Sequence, residues 1–295
     1  IDREHIDRHS YVIVIGGGAF LDAVGYAVAT AHRGVRLVRF PTTTLSQDDS
    51  GVGVKCAVNR FGKKNWTGSF AVPFAVINDF SFLHSQDEET RRAGLIEAVK
   101  VALVKDGSFF AWIYANLERL AALDPAALEE CVERSALLHA SHIATSGDPF
   151  ETGSSRPLDF GHWAAHKLEQ LSGFTVSHAH AVAIGLALDT LYSGSFGLLS
   201  NAESEIILRV ISGLKLPLWH EALDLRDAAG RRLVHAGLEE FREHLGGELT
   251  VLLLKKHGVG TDVHFLDEPL VDACLDDLRA RQHEIDEEST HLAAI

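Results

Sequence analysis

Apolar positions in the first third of the chain fall in short runs. Tyr11-Val-Ile-Val-Ile15 is an unbroken β-branched run of strand length, followed by Gly16-Gly17-Gly18 and then a helical pattern from Ala19 to Ala31. Val35–Phe40 is a second strand candidate, ending at Pro41. Phe70 to Asn78 supplies a third extended segment, and Pro73 within it confines that segment to an edge or loop-flanked position. Strands alternating with a helix imply a parallel α/β sheet. From about Gln86 the texture changes to long amphipathic stretches: Glu88–Lys105, Ala126–His142, Gly161–Leu171, Ala181–Leu191 and Ala202–Leu214. Leu249–Leu254 is the one convincing strand in that part. The pattern predicts an α/β fold, with a parallel-sheet domain over residues 1–84 and a mainly α-helical domain over residues 85–295. No repeat, low-complexity tract or flexible linker interrupts it.

Composition narrows the function classes. A chain of 295 residues, 46% of them hydrophobic, is long enough for two cored domains. A formal net charge of −14 argues against nucleic acid as a partner, because phosphate contacts need concentrated Lys and Arg. No apolar stretch reaches the length of a membrane span. Three scattered cysteines, Cys56, Cys131 and Cys274, fit reduced thiols in a cytoplasm. The chain opens on the polar Ile1-Asp-Arg-Glu-His5, unlike a signal peptide, and has no Met even at position 1, as expected of an internal stretch of a longer protein.

The densest chemistry is Arg156-Pro-Leu-Asp-Phe-Gly-His162-Trp-Ala-Ala-His166-Lys-Leu-Glu169, followed by His178-Ala179-His180. His162, His166 and Glu169 lie at i, i+4 and i+7, so one helix face carries all three. His178 follows a Ser172-Gly173 break, which suits a second helix packed on the first. Neutral imidazoles with a carboxylate suit a divalent transition metal, and Glu97 in Gly94-Leu-Ile-Glu97-Ala-Val-Lys100 is a candidate for the carboxylate. The competing account makes some of these histidines surface or capping residues.

Two further segments suit an anionic ligand. Gly16-Gly17-Gly18 at a strand-to-helix junction lets backbone approach a phosphate, although the spacing is not GxGxxG and a plain tight turn fits equally. The stretch from Pro41 through Asp49 and Lys55 to Lys64 is rich in hydroxyls and glycine. A solvated loop with incidental lysines is its alternative.

Taken together, these motifs resemble the sugar phosphate cyclases, the superfamily of 3-dehydroquinate synthase and the 2-epi-5-epi-valiolone-type synthases. The resemblance runs from about Tyr11 to about Gly258 and includes Asp148-Pro-Phe-Glu151. It implies a Rossmann-like N-terminal domain, incomplete here because family members carry upstream strands and an acidic residue for the adenosine ribose. It implies NAD at Gly16, Gly17, Gly18, Asp22, Thr42, Thr43, Asp49 and Lys64. Zinc or cobalt would sit on Glu97, His162 and His178, and substrate contacts would come from Asn65, Arg156 and His139. Lys55, Lys100, His166 and Asp159 would serve catalysis. The implied chemistry is transient oxidation of a sugar phosphate by NAD, β-elimination of phosphate, return of the hydride and ring closure. The resemblance also implies a homodimer.

Departures from the family pattern bear on the substrate. The usual Leu-Asn-Phe-Gly-His is Leu158-Asp159-Phe160-Gly161-His162 here, Arg156 stands one position late, and His-Gly-Glu has become His178-Ala179-His180. His180 would compete for metal or, as the preferred reading has it, play a supporting or structural part. A carboxylate at position 159 opposes a carboxylated substrate, which favours a ketose phosphate such as sedoheptulose 7-phosphate. His166 departs from the valiolone-type pattern. The alternatives are 3-dehydroquinate synthase acting on a heptulosonate phosphate, a metal-dependent polyol dehydrogenase, and a scaffold that has lost catalysis.

Overall fold

The computed structural model describes residues 1–61, 63–145, 158–245 and 247–293. In chain order the elements are β1 (Tyr11–Gly16), α1 (Gly18–Thr30), β2 (Arg36–Pro41), β3 (Lys55–Arg60), β4 (Lys63–Phe70), β5 (Ala75–Val76), α2 (Ser81–His84) and α3 (Glu88–Lys105). There follow α4 (Gly107–Ala115), α5 (Leu117–Ala121), α6 (Pro125–Thr145), α7 (His162–Leu171), α8 (His178–Ser195), α9 (Asn201–Gly213) and α10 (Ala236–Leu245). The chain closes with β6 (Val251–Lys256), β7 (Val259–Val263) and α11 (Glu268–Ala293). Two compact units result: Ile1–Ala98 with Leu123–Thr152, and Val99–Ala122 with Gly153–Ile295. Helix α3 runs through the division as one helix. No helix among the described residues is long and apolar enough to cross a membrane.

In the first unit, β1, β2 and β5 form a parallel sheet in the order β1-β2-β5, with Tyr11 opposite Arg36 and Val38 opposite Ala75. Helix α1 covers it over a core of Val14, Leu21, Val28, Val35 and Leu37. The stretch expected as a third strand yields only the short β5. Its upstream end belongs to an antiparallel hairpin, β3–β4, in the segment where sequence suggested a ligand loop. Arg39 is completely buried and ties β2 to the next turn, donating to the carbonyls of Gly51 (3.2 Å) and Gly53 (2.6 Å) and to Cys56 Sγ (2.9 Å). A π-helical turn, Ser46–Ser50, packs on α6, where Ser135 Oγ donates to Asp48 O at 3.2 Å.

In the second unit, α8 is the central helix, packed by α7, α9, α11 and β6. Its residues from Ala181 to Ser193 are all buried, so it shows no polar stripe and its apolar pattern is nearly continuous. Side chains set the helix starts. Ser177 caps α8, Ser200 and Glu203 form a capping box on α9, and Asp106 caps α4. Buried Arg232 meets Asp224 at 3.0 Å, Asp272 at 3.2 Å and Asp276 at 2.5 Å, which fastens α11 to the unit.

Candidate active site

Helices α7 and α8 meet with backbone touching backbone. A Cβ on Gly185 would lie 2.0 Å from Gly161 O, and Gly161 itself has φ +76°, in the left-handed region that favours glycine. This crossing brings together two histidines that each open a helix. His162 begins α7 and His178 begins α8, and their ring centroids are 5.7 Å apart.

Both rings are oriented through Nδ1. That of His162 lies 3.1 Å from Phe160 O, a geometry in which Nδ1–H donates and Nε2 keeps its lone pair. That of His178 lies 3.2 Å from Glu169 Oε2, with the same consequence. Burial, and next the Lys100 ammonium, hold the His162 pKa well below its ordinary value, so its ring is neutral and able to ligate.

Glu97 stands three residues before Lys100 on α3, and both are buried. Glu97, His162 and His178 each offer one ligand atom, and these atoms all lie within 4.8 Å of one another. One carboxylate and two imidazoles fit zinc or cobalt, with coordination positions left for water or substrate.

His166 is exposed, with its ring centroid 5.5 Å from that of His162 and 6.1 Å from that of His178. The ligand group of described residues includes neither His166 nor His180; the His180 backbone N–H is capped by Ser177 Oγ. Asp159 is half-buried, and its backbone carbonyl accepts from the His162 N–H at 3.0 Å.

The first unit holds the residues expected at a dinucleotide. Gly17 is the N-cap of α1, which has no side-chain cap and no acidic residue in its first turn, so its amide end favours an anion. A Cβ on Gly17 would meet Thr43 Cγ2 at 3.1 Å and one on Gly18 would meet Ser50 Oγ at 2.8 Å, so the turn is a cradle shaped for bare backbone. Thr42 N donates to Gly16 O at 3.0 Å, and Thr43 Oγ1 lies 2.8 Å from Ser46 Oγ. These residues fit a pyrophosphate.

Asp22, half-buried beside Arg39 and Asp49, has its pKa raised to about 6, mainly by desolvation. Asp49 pairs with His139, Oδ1 to Nδ1, at 3.0 Å, which unites an expected cofactor residue with an expected substrate residue. Lys55 is exposed at the start of β3; Asn65 is exposed on β4 with φ +52°, its N–H donating to Asn59 Oδ1. Arg156, the Asp148–Glu151 segment and the Lys64 side chain lie outside the described residues.

Two carboxyl groups support the site, one on the face that spacing identifies and one that sequence reasoning missed. Glu169 shares its helix face with His162 and His166, and its Oε2 meets His178 Nδ1. Asp189 was not singled out, although it is the one acid in the apolar run Ala181–Leu191. It is fully buried, and its oxygens accept from Gly161 N and Trp163 Nε1, each at 2.9 Å. Desolvation raises its pKa to about 7.

The glycine turn and the Glu97, His162 and His178 group carry the resemblance to the sugar phosphate cyclases, and the comparisons bear it out. Residues 1–93 match the 3-dehydroquinate synthase N-terminal family and residues 94–233 match 3-dehydroquinate synthase C-terminal. The chain belongs to the 3-dehydroquinate synthase family. It is 40% identical to 3-dehydroquinate synthase of Desulforamulus reducens over 72% of this chain and 59% of that protein. Against the enzyme of Methylococcus capsulatus it is 35% identical over 91% of this chain and 73% of the relative. The chain thus spans about three fifths of the length of the first of these relatives. A solved 2-epi-5-epi-valiolone synthase from Streptomyces hygroscopicus subsp. jinggangensis, with NAD+ and Zn2+ bound, is 30% identical with a TM-score of 0.85. That match covers 95% of this chain and 76% of the solved one.

Proposed function

We propose that the protein is a phosphate-eliminating, carbocycle-forming lyase acting on a sugar phosphate, with NAD and a divalent metal as cofactors. The convergence of Glu97, His162 and His178, in a chain that matches both halves of the family, carries this reading. When bound, NAD supplies reversible hydride transfer and the metal supplies a Lewis acid. The glycine cradle would hold the pyrophosphate, and Glu97, His162 and His178 the metal, for which the zinc of the solved relative is a precedent. Buried Lys100 would hold a positive charge against an anionic group or oxyanion beside His162. His166, exposed beside both ligating rings, would move protons.

For the substrate, the curated relatives at 35–40% identity are 3-dehydroquinate synthases. They favour a heptulosonate phosphate over the sedoheptulose 7-phosphate preferred on sequence departures alone. Asp159 and the likeness to the valiolone synthase keep sedoheptulose 7-phosphate as the second reading. Full-length protein with NAD and zinc or cobalt, offered each substrate, should release phosphate faster from the heptulosonate with no net NADH. Faster release from sedoheptulose 7-phosphate would reverse that order. Net NADH from a polyol without phosphate release would point to a dehydrogenase, and no turnover or NAD binding to a scaffold.

A further inference from the structure

Each of the two metal-ligand helices lends a carboxyl group to the other. From α7, Glu169 Oε2 lies 3.2 Å from His178 Nδ1 at the start of α8. From α8, Asp189 accepts from Gly161 N and Trp163 Nε1, the residues on either side of His162 at the start of α7. Both carboxyl groups are buried, at 5% and 1% exposure. Burial of an acid in apolar surroundings is costly, and neither fills a position that packing would reserve for it. Asp189 stands in a run where its neighbours Leu186, Ala187, Leu188, Leu191 and Tyr192 are all buried. An apolar residue there would serve the core better, unless the turn that presents His162 needs the acceptors.

We propose that Glu169 and Asp189 are reciprocal positioning residues, each fixing the metal-ligating histidine carried by the opposite helix. This rests on the metal reading above. Glu169 acts on the His178 ring itself: an acceptor at Nδ1 fixes the tautomer that leaves Nε2 to the metal and raises its basicity. Asp189 acts on the backbone. It clamps both flanks of His162, so that the left-handed Gly161 and the first turn of α7 keep one orientation relative to α8. The Nδ1 of His162 is satisfied by Phe160 O, within that same clamped turn. One brace therefore sets a ring and the other sets the backbone that aims a ring.

The test is zinc affinity by chelator competition on the full-length protein, with the visible spectrum of the cobalt-loaded protein and the unfolding midpoint of the metal-free form measured alongside. Glu169→Ala should weaken zinc binding roughly 10- to 100-fold, and Glu169→Gln, which retains an acceptor, by only a few-fold. Asp189→Asn offers one acceptor to two donors and sets its own amide N–H against that of Trp163. Its zinc affinity should fall roughly 10-fold and its cobalt spectrum should shift. Trp163→Phe, added to Asp189→Asn, removes the opposing donor and should restore much of the lost affinity. A merely structural role would not give that rescue.

Zinc affinity unchanged in Glu169→Ala and Asp189→Asn, while wild type binds, overturns the braces and leaves the metal centre standing. Loss of affinity that only tracks a collapsed midpoint, without rescue by Trp163→Phe or by Glu169→Gln, overturns them too. Wild-type protein that binds no zinc overturns both readings.

Discussion

The contact between Gly161 and Gly185 makes Gly185→Ala the most demanding test of how this site is built. The added methyl group would sit 2.0 Å from Gly161 O, whereas ordinary contact begins at 3.4 Å, so about 1.4 Å of separation is required. The obstacle is backbone, which no rotamer change can move aside. Gly161 cannot retreat easily either, because Asp189 holds its N–H and its φ is +76°. Overpacking of this kind costs roughly 3 kcal/mol, the upper end of the usual range. For a domain of this size that lowers the unfolding midpoint by roughly 6–12 °C. The displacement also exceeds the roughly 0.5 Å within which a functional constellation must be held, so zinc affinity should fall roughly 10-fold or more. Thermal unfolding of the metal-free protein and chelator competition would measure the two effects. A midpoint within about 1 °C of wild type, with zinc affinity intact, would refute the close-crossing argument.

Three further outcomes are expected. His162→Ala should abolish near-stoichiometric zinc or cobalt in the purified protein, and equal metal content in wild type and variant would end the proposed ligand set. Asp189 and Asp22 have folded-state pKa values raised to about 7 and about 6, so the folded state binds more protons than the unfolded one above the ordinary value of 3.8. Their contribution is therefore favourable near pH 4 and lost as pH rises toward 7; for Asp189 the change is on the order of 4 kcal/mol. Urea unfolding of metal-free protein at about pH 5 and about pH 8 should show a fall in wild type that is reduced in Asp189→Asn, and equal slopes would contradict it. Light scattering of the full-length protein at micromolar concentration should give a dimer mass, and a monomer would remove the expected pairing.

Local order determined much of what sequence alone made legible. The run Tyr11–Ile15 with three glycines behind it could become little other than strand, turn and helix, and β1 and α1 lie there. Glu88–Lys105 was legible end to end, because acidic residues start it, a lysine closes it and no breaker intervenes. The histidine-rich stretch from His162 to His180 was legible as candidate metal chemistry, and the family resemblance narrowed it to Glu97, His162 and His178. The β3–β4 hairpin was not. Its strands, KCAVNR and KKNWTGSF, lack clean alternation, so the two-residue period that marks a half-buried strand is faint in them. Helix α11 was less legible because its buried stripe, Val271, Cys274, Leu275 and Leu278, is confined to its first half and the sequence beyond it is almost wholly polar.

What only the tertiary structure decided is which carboxyl serves which histidine. Spacing places Glu169 with His162 and His166 on one face, and the close approach of two glycines sets that face against His178 at the start of α8. Asp189 is a similar case. Along the chain it is a stray acid in an apolar helix, and only the crossing at Gly185, one turn away, sets its oxygens against Gly161 and Trp163. Spacing along a helix fixes which residues share a face, while the partner that face meets depends on how near a second backbone can come.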